Sequence, residues 1–502
     1  MQPREAYAKL LAWSRELVNL DTTMGLLHWD QRTHIPAKGH DNRAEQIATL
    51  ARIHHQRETD PRAGEWLAAM EVTDVVADPE AAEAVNVREW RRSYDKAIKI
   101  PENLAVALAK AQAHGESAWE KAKPQSDWAA FQPSLEELVG LRKEQAEILG
   151  YEKEAYDALL DEYEPGAKAA EIEPVFRVLR EATVKLLDRL RDLEQPKTMV
   201  AGKDYPLIDQ ERVCKAVAAK LGYDLDAGRL DTTMHPFSTR IGPGDARITT
   251  SYDPQDFTDA LFSVIHEAGH AMYSQGQPGE HHGTPRGEHA SLSIHESQSR
   301  MWENFVGRSS GFWAFFQPYF QMVFPALSKV SAEDAQRWVN RVQPGYIRVQ
   351  ADELTYNLHV MLRFDLELAV MRGSLGVADL PEAWDVKMQD YLGLKPPCHA
   401  KGVMQDVHWS GGMFGYFPTY TLGNIYAAQF FAAAQRELGD LDDMFARGEF
   451  ALLLHWLRRE IHSRGKTLFA RDLVRRVTGQ EPDSSFLVEH LAARCERIYH
   501  CS

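Results

Sequence analysis

Five consecutive residues, His266, Glu267, Ala268, Gly269 and His270, could carry metal chemistry in this 502-residue sequence. If the segment is helical, both histidines lie on one face, about 6 Å apart along the axis. Both imidazoles can then bind one tetrahedral ion at about 2.0–2.1 Å. Glu267 points about 100° around the helix, where it can reach a water molecule on the ion and act as a general base. The spacing therefore predicts a catalytic metal centre.

The alternative is a chance occurrence, because a chain of this composition contains the pattern roughly one time in twenty. The surrounding residues favour the metal centre. Asp253 and Pro254 are typical of the start of a helix, and Gly276 is typical of its end. Gly269 leaves room for another element to pack closely against this helix.

A catalytic metal centre needs a third protein ligand and one open coordination position. Glu296 lies in the next predicted helix after His270, so a site of two histidines and one glutamate is expected. Arg300 and Glu303 lie on the same helix face as Glu296 and are expected to hold the metal ligands in position. The competing candidates are His281, His282, His289 and His295. The first two are typical of a polar loop, and His295 points elsewhere if Glu296 faces the metal.

Residues 402–423 contain further groups that could contact a substrate. His408, Tyr416 and Tyr420 lie there among several glycines. This combination is typical of a loop that closes over a ligand and donates hydrogen bonds to an oxyanion. The alternative is a turn-rich core segment whose tyrosine hydroxyls bond internally.

The segment 346–364 is predicted to be a long helix that carries Arg348. Asp352, one turn further on, can hold the guanidinium in place. Such a pair is more often exposed to solvent. If it faces a cleft instead, Arg348 is a bidentate clamp for a carboxylate, the group at the C-terminus of a peptide.

Helical periodicity dominates the elements that must position these groups. Apolar stripes within residues 7–18 and 176–190 predict amphipathic helices. Further helices are predicted at 40–58, 78–98, 102–122, 134–149, 312–326, 332–342, 346–372, 425–445 and 484–499. Residues 229–252 differ, because two β-favouring runs around a Gly-Pro-Gly-Asp turn predict a hairpin. The predicted fold is mainly α with one small sheet beside the metal motif, whose edge could pair with an extended peptide.

Composition restricts the classes of partner and compartment. Lys and Arg number 57 against 73 Asp and Glu, a net charge of −16, which argues against nucleic acid or an anionic membrane as partner. The N-terminal residues do not have the pattern of a signal peptide, and no apolar run is long enough to span a membrane. The four scattered cysteines favour reduced thiols over a Cys495–Cys501 bridge, so a cytoplasmic protein is predicted.

With these motifs in place, the sequence resembles the carboxypeptidase Taq family of thermostable metallocarboxypeptidases. The resemblance covers essentially the whole chain and depends on several segments in order. They are HWDQRTHIP at 28–36, HPF at 235–237, DARIT at 245–249, HEAGH at 266–270, HESQ at 295–298, IRVQAD at 347–352 and GVMQDVHW at 402–409.

The resemblance implies a mainly α peptidase domain over residues 1–502, similar to neurolysin and angiotensin-converting enzyme. It implies a deep groove between two lobes, with about 1–200 as a groove wall or lid and about 201–502 as the catalytic part. The implied activity is metal-dependent removal of C-terminal amino acids, with broad specificity, from peptides with a free C-terminus. A homodimer is also implied.

The resemblance assigns roles residue by residue. The metal ligands are His266, His270 and Glu296, with Zn²⁺ as the ion and Co²⁺ or Mn²⁺ as substitutes. The catalytic residues are Glu267, which activates the metal-bound water, and His408 and Tyr420, which steady the tetrahedral intermediate. The substrate-binding residues are Arg348, which takes the terminal carboxylate, and His235, Arg247 and Tyr416, the last also being the alternative to Tyr420.

Two other functions fit parts of the sequence. An oligopeptidase or endopeptidase on the same scaffold would not need the carboxylate clamp at Arg348. A non-catalytic, metal-stabilised helical binding protein would close four protein ligands around the ion and would have no use for Glu267 as a base. The presence of Arg348 and Glu267 therefore favours the carboxypeptidase over both alternatives.

Overall fold

The computed structural model describes residues 2–197, 202 and 204–500, and this part of the chain is mainly α-helical. The helices are α1 (Pro3–Thr33), α2 (His40–Glu58), α3 (Pro61–Glu71), α4 (Ala82–Lys99), α5 (Glu102–Ala122), α6 (Trp128–Leu149), α7 (Ala155–Leu160), α8 (Ala169–Leu190), α9 (Leu207–Leu221), α10 (Phe257–Gly276), α11 (Leu292–Arg300), α12 (Ser310–Val323), α13 (Ala332–Val339), α14 (Glu353–Met371), α15 (Leu380–Leu392), α16 (Pro418–Leu438), α17 (Leu441–Ala446), α18 (Ala451–Glu460), α19 (Ala470–Thr478) and α20 (Ser485–Tyr499). The strands are β1 (Leu230–Thr232), β2 (Ser238–Gly242) and β3 (Asp245–Thr250). The predicted fold class is confirmed.

The chain forms two compact units. The first contains Met1–Ile98, Lys197–Val339 and Phe430–Gly479, and the second contains Lys99–Pro196, Asn340–Gln429 and Gln480–Ser502. The metal motif and the sheet therefore belong to the first unit. Arg348 and the segment 402–423 belong to the second.

Two helix predictions are wrong at their boundaries for a local reason. The helix predicted from residue 346 begins only at Glu353, because the side chain of Asp352 accepts a hydrogen bond from Thr355 N at 3.0 Å and caps α14. The single helix predicted over 425–445 is two helices, α16 and α17, separated at Gly439, whose φ is +99°.

The predicted hairpin is confirmed and gains a third strand. β2 and β3 pair antiparallel, with Ser238 opposite Ile248, and β1 pairs parallel to β3 on its other side. β3 is thus the central strand and leads directly into α10. Thr250 at its end bonds Ser263 of α10 at 3.1 Å, so the sheet lies against the helix that carries the metal motif.

An aromatic core anchors the start of α10. Phe257 is fully buried against Phe324, with ring centroids 4.9 Å apart, and both contact Tyr205. Edge-on and tilted ring contacts of this kind add to the burial of apolar area. The packing fixes the helix two turns before its first histidine.

No helix among the described residues is long and apolar enough to cross a membrane. Cys214 is buried and Cys398 exposed, and both carry free thiols. The Cys495–Cys501 alternative depends on Cys501, which lies outside the described residues.

Candidate functional site

Helix α10 presents the metal motif, and its start differs from the prediction. Its N-cap is Asp256, whose carboxylate accepts Thr258 N at 2.9 Å, and not Asp253. Asp253 and Pro254 form a turn before the helix instead. Gly276 is the last helical residue, as predicted.

Helix α11 packs very closely on α10 at Gly269. A Cβ atom on Gly269 would lie 2.7 Å from Ser299 Cα and 2.8 Å from Gln298 O. Only glycine allows this approach without a backbone shift. The contact places α11, and with it Glu296, beside the two histidines.

Two imidazoles and one carboxylate converge at this contact. His270 Nε2 lies 3.4 Å from Glu296 Oε2, and His266 Nε2 lies 3.8 Å from the same oxygen. Tetrahedral ligands at about 2.0–2.1 Å from one ion lie about 3.4 Å from each other. The donor set and its spacing therefore fit a divalent metal ion. Among the described residues it is the one group of three metal-ligating side chains this close together.

The remaining atoms of these ligands are held by neighbouring side chains. His266 Nδ1 bonds Glu303 Oε2 at 2.8 Å, and Glu296 Oε1 accepts a hydrogen bond from Arg300 Nε at 2.6 Å. Arg300 Nη1 also bonds Glu303 at 3.1 Å. The predicted supporting roles of Arg300 and Glu303 agree with these contacts. These contacts leave Nε2 of His266 and Oε2 of Glu296 facing the position of the ion.

His295 occupies an unpredicted place beside the site. Its Nδ1 lies 2.5 Å from Nδ1 of His270, on the opposite side of that ring from Glu296. Burial and the neighbouring His270 hold the pKa of His295 well below its usual range, so its ring is neutral. It supports His270 and does not compete with Glu296 for the ion.

The charged groups around Glu296 and Glu303 favour the ionised form of both carboxyls. Burial alone would raise their pKa values, but Arg300 and His266 outweigh it. The pKa of Glu303 falls to about 2, and that of Glu296 falls well below its usual range. Both carboxylates are therefore ionised at neutral pH, Glu296 facing the two imidazoles and Glu303 holding His266 and Arg300.

Glu267 differs from both of them. It is 7% exposed and forms no hydrogen bond or ion pair with another described residue. Burial raises the pKa of its carboxyl, partly offset by His266 and His270. Glu267 is therefore a buried carboxylate next to His266 in sequence that no other described side chain binds.

The contact at Gly269 supports a prediction. We expect Gly269→Ala to destabilise the protein by about 1–3 kcal/mol, because the added methyl group must push α11 away. The same shift moves Glu296, so metal affinity should fall as well. Thermal unfolding and titration with a metal–chelator buffer measure the two effects. Gly279→Ala is the matched control, since a Cβ there would touch nothing within 4 Å, and equal behaviour of the two variants would contradict the prediction.

In the second unit, Arg348 lies in a 3₁₀ turn, Arg348–Gln350, before α14. The predicted pairing with Asp352 is wrong, because Asp352 caps α14. Arg348 instead bonds Asp406 Oδ1 through Nε at 3.0 Å and through Nη2 at 2.9 Å. Its Nη1 donates to the hydroxyl of Tyr356 at 3.0 Å. Arg348 is only 5% exposed, so it does not belong to a solvated surface pair, which the sequence also allowed.

A second arginine shares the same carboxylate. Arg363 is fully buried and bonds Asp406 Oδ2 at 2.6 Å. Burial alone would raise the pKa of Asp406, but Arg348 and Arg363 hold it well below its usual range. Of the described carboxylates, Asp406 alone pairs with either arginine. Two buried arginines thus share one directly paired carboxylate.

The glycine-rich segment brings its three polar aromatic residues together. His408 Nε2 lies 3.2 Å from Tyr420 OH, and Tyr416 contacts both rings at centroid distances of 5.2 and 5.3 Å. The ring of Tyr420 lies 4.9 Å from the guanidinium carbon of Arg348. Burial lowers the pKa of His408 to about 4, so its imidazole is neutral at pH 7. These contacts place His408 and Tyr420 beside the arginine.

Comparison with known proteins agrees with this geometry. The profile of the carboxypeptidase Taq (M32) metallopeptidase family matches residues 9–495. The chain belongs to this family.

Relatives and solved structures extend the match over the whole length. Thermostable carboxypeptidase 1 of Thermus thermophilus is 52% identical, over 99% of this chain and all of the relative. Carboxypeptidase 1 of Bacillus subtilis is 37% identical, over 97% of each chain. The crystal structure of an M32 carboxypeptidase from Deinococcus radiodurans superposes with a TM-score of 0.96 at 38% identity, covering 99% of this chain and 100% of the other. The protein is therefore a metallocarboxypeptidase, a hydrolase that acts on peptides.

Two predicted substrate-binding residues, Arg247 and His235, lie in and just before the strands of the sheet. Arg247 of β3 bonds Asp245 at 2.8 Å and lies 4.3 Å from the centre of the Trp29 ring. His235 is exposed just before β2. The Trp29 contact joins two of the family motifs, HWDQRTHIP and DARIT.

Three functional neighbours in this M32 chain were not predicted. Asp406 lies within the motif GVMQDVHW, and this motif could have identified it as a candidate. No local sequence feature marks Arg363. His295 precedes Glu296 by one residue, so the sequence predicts only that it points away from the ion and not that it contacts His270. Arg363 and Asp406 bond each other from separate elements, and His295 contacts His270 on the preceding helix.

Proposed function

We propose that this metallocarboxypeptidase uses one zinc ion, held by His266, His270 and Glu296, to release C-terminal amino acids from peptides. The observation that carries the proposal is the convergence of two Nε2 atoms on one Oε2 atom, beside the unpaired carboxylate of Glu267. Three protein ligands leave a coordination position open, as catalysis requires. Co²⁺ and Mn²⁺ are proposed as substitutes.

When bound, the metal lowers the pKa of water and polarises the scissile carbonyl. Glu267 takes the proton of the attacking water and passes it to the leaving amine. Its raised pKa brings the carboxyl closer to the operating pH and suits it to both transfers. Glu303, Arg300 and His295 keep the ligand rings and carboxylate oriented.

Arg348 is proposed to bind the terminal carboxylate of the peptide. Arg348 and Arg363 share the single carboxylate of Asp406, and the C-terminal carboxylate of a peptide would supply a second one. A neutral His408 and the hydroxyl of Tyr420 offer hydrogen bonds to the oxyanion, with Tyr416 as the alternative tyrosine. His235 and Arg247 are proposed to contact the peptide further from its end.

The main alternative is an endopeptidase on the same scaffold. A free C-terminus carries a negative charge that a guanidinium can bind, whereas the backbone of a continuing chain carries none. The two positive charges of Arg348 and Arg363, which share the single carboxylate of Asp406, therefore favour exopeptidase action. A non-catalytic binding protein is not consistent with membership of a hydrolase family.

The experiment compares one short peptide as its free acid and as its C-terminal amide. Each is incubated with the protein as purified, after treatment with a chelator, and after zinc or cobalt is restored. We expect metal-dependent release of single residues from the free acid and about 100-fold slower release from the amide. Internal cleavage of both peptides at similar rates would contradict the proposal.

We also propose a cytoplasmic homodimer. The family resemblance supports the dimer, and the free thiols of Cys214 and Cys398 suit a reducing compartment. Light scattering at two protein concentrations tests the dimer, which predicts about twice the 56.9 kDa mass of one chain.

A further inference from the structure

A buried carboxylate on α14, Glu367, has no part in the roles assigned so far. Its side chain is fully buried and belongs to the second unit. It accepts three hydrogen bonds: from Tyr156 OH at 2.7 Å, from Trp409 Nε1 at 2.8 Å and from Gly415 N at 3.0 Å. All three partners are donors, so the site is built for an acceptor.

Two of these donors flank the residues proposed to act on the substrate. Trp409 follows His408 in sequence, and Gly415 precedes Tyr416. The carboxylate of Glu367 therefore fixes both ends of the segment 409–415. Neither His408 nor Tyr416 bonds Glu367 itself, so any effect on them passes through the backbone.

The same carboxylate joins this segment to α7. Tyr156 lies on α7, and Gly415 lies against the end of that helix with a φ of +88°. A Cβ on Gly415 would lie 2.8 Å from the backbone nitrogen of Leu160. Glu367 thus holds the segment at a point where the backbone has no room to move towards α7.

Helix α14 supports the whole group from one face. Tyr356, Arg363 and Glu367 are spaced by seven and four residues, so their side chains lie in one row along the helix. Tyr356 bonds Arg348, Arg363 bonds Asp406, and Glu367 bonds the segment 409–415. One helix face therefore positions both the arginine cluster and the residues around His408.

Packing alone does not explain a carboxylate here. Burying it is costly, and burial raises the pKa of Glu367 to about 7 despite its three donors. An apolar side chain would avoid this cost but would leave the indole of Trp409 and the amide of Gly415 without their acceptor. The segment would then lose its fixed path.

We propose that Glu367 is a positioning residue that sets the backbone path of residues 409–415 and thereby places His408, Tyr416 and Tyr420 for reaction. The inference rests on the proposed roles of His408 and Tyr420. Because misplacement by about 1 Å costs up to about 100-fold in rate, a change at Glu367 acts on kcat and not on the fold alone.

The test is Glu367→Gln in the full-length, metal-loaded protein. A glutamine has one acceptor oxygen and turns an NH₂ group towards the remaining donors. We expect kcat to fall by about ten- to hundredfold with KM changed less than about threefold. Hydrogen exchange of peptides that cover 409–415 should become faster, while exchange in α10 should stay unchanged.

Glu353→Gln is the matched control. Glu353 lies on the same helix, is largely buried, and pairs with Arg494 and with His490, the latter at 3.0 Å. The control should lose stability without losing kcat. If Glu367→Gln lowers the unfolding temperature like the control and keeps kcat within about twofold of the parent, the proposal is overturned.

Two further sets of variants distinguish a failure of the Glu367 proposal from a failure of the proposed catalytic roles. His408→Ala and Tyr420→Phe are assayed in parallel, and if neither lowers kcat, the proposed catalytic roles fail independently of Glu367. If Glu367→Gln does not fold, Trp409→Phe removes one of the three donors and keeps the ring. We expect it to lower kcat by about tenfold, and an unchanged kcat would overturn the proposal.

Discussion

Replacing Glu267 by Gln should lower kcat by about 10²–10⁴-fold while the protein still binds its metal. The amide is nearly isosteric with the carboxylate but cannot accept the proton of the attacking water. The parent carboxylate forms no hydrogen bond with another described residue, so the substitution breaks no structural contact. It also removes a buried charge, and the unfolding temperature should stay equal or rise.

Metal content and kcat measured on the same sample test this expectation. Asp259→Asn is the matched control, because Asp259 is an exposed acid on α10, two turns before the motif. It should change stability by only a few tenths of a kcal/mol and leave kcat unchanged. Loss of metal together with activity in Glu267→Gln would assign Glu267 to metal retention and contradict the role of general base.

The grouping of His266, His270 and Glu296 could be predicted from the sequence because their geometry is mostly local. The i, i+4 spacing of His266 and His270 fixes their relative position once the helix forms. Glu296 follows on the next helix, and Gly269 is the visible sign that the two helices touch. Few other arrangements satisfy these constraints.

The arginine cluster could not be predicted in the same way. Arg348 was expected to pair with Asp352 because the two lie one turn apart if the helix is continuous. Asp352 instead caps the N-terminus of α14, which begins at Glu353, and the observed partner of Arg348, Asp406, is distant in sequence. Such a pairing depends on tertiary packing, which the hydrophobic periodicity of the sequence does not indicate.

The third strand was missed for a related reason. β1 has only three residues and pairs in parallel with β3, so it lacks both the length and the turn that mark a hairpin. The hairpin of β2 and β3 was visible because its Gly-Pro-Gly-Asp turn is local.

Replacing Arg348 by Ala should lower kcat/KM for free-acid peptides by about 100-fold or more and should barely change it for the matching amides. The substitution removes one of the two positive charges that share Asp406, and Arg363 still pairs with that carboxylate. The remaining pair is neutral, so the cluster survives the loss without an isolated buried charge. The site would then no longer distinguish a terminal carboxylate from an amide.

Arg348→Lys separates charge from geometry, since it keeps the positive charge but not the two-pronged donor group, and it should recover only part of the preference. Arg372→Ala is the matched control: this half-exposed arginine lies just past α14 and pairs with Glu154 and Glu173 at 2.7 and 2.8 Å. Its loss should leave both substrates unaffected. Equal losses on acid and amide in Arg348→Ala would mean that Arg348 holds the fold of the site and does not read the C-terminus. A loss confined to the free acid ties the exopeptidase preference to the buried guanidinium of Arg348.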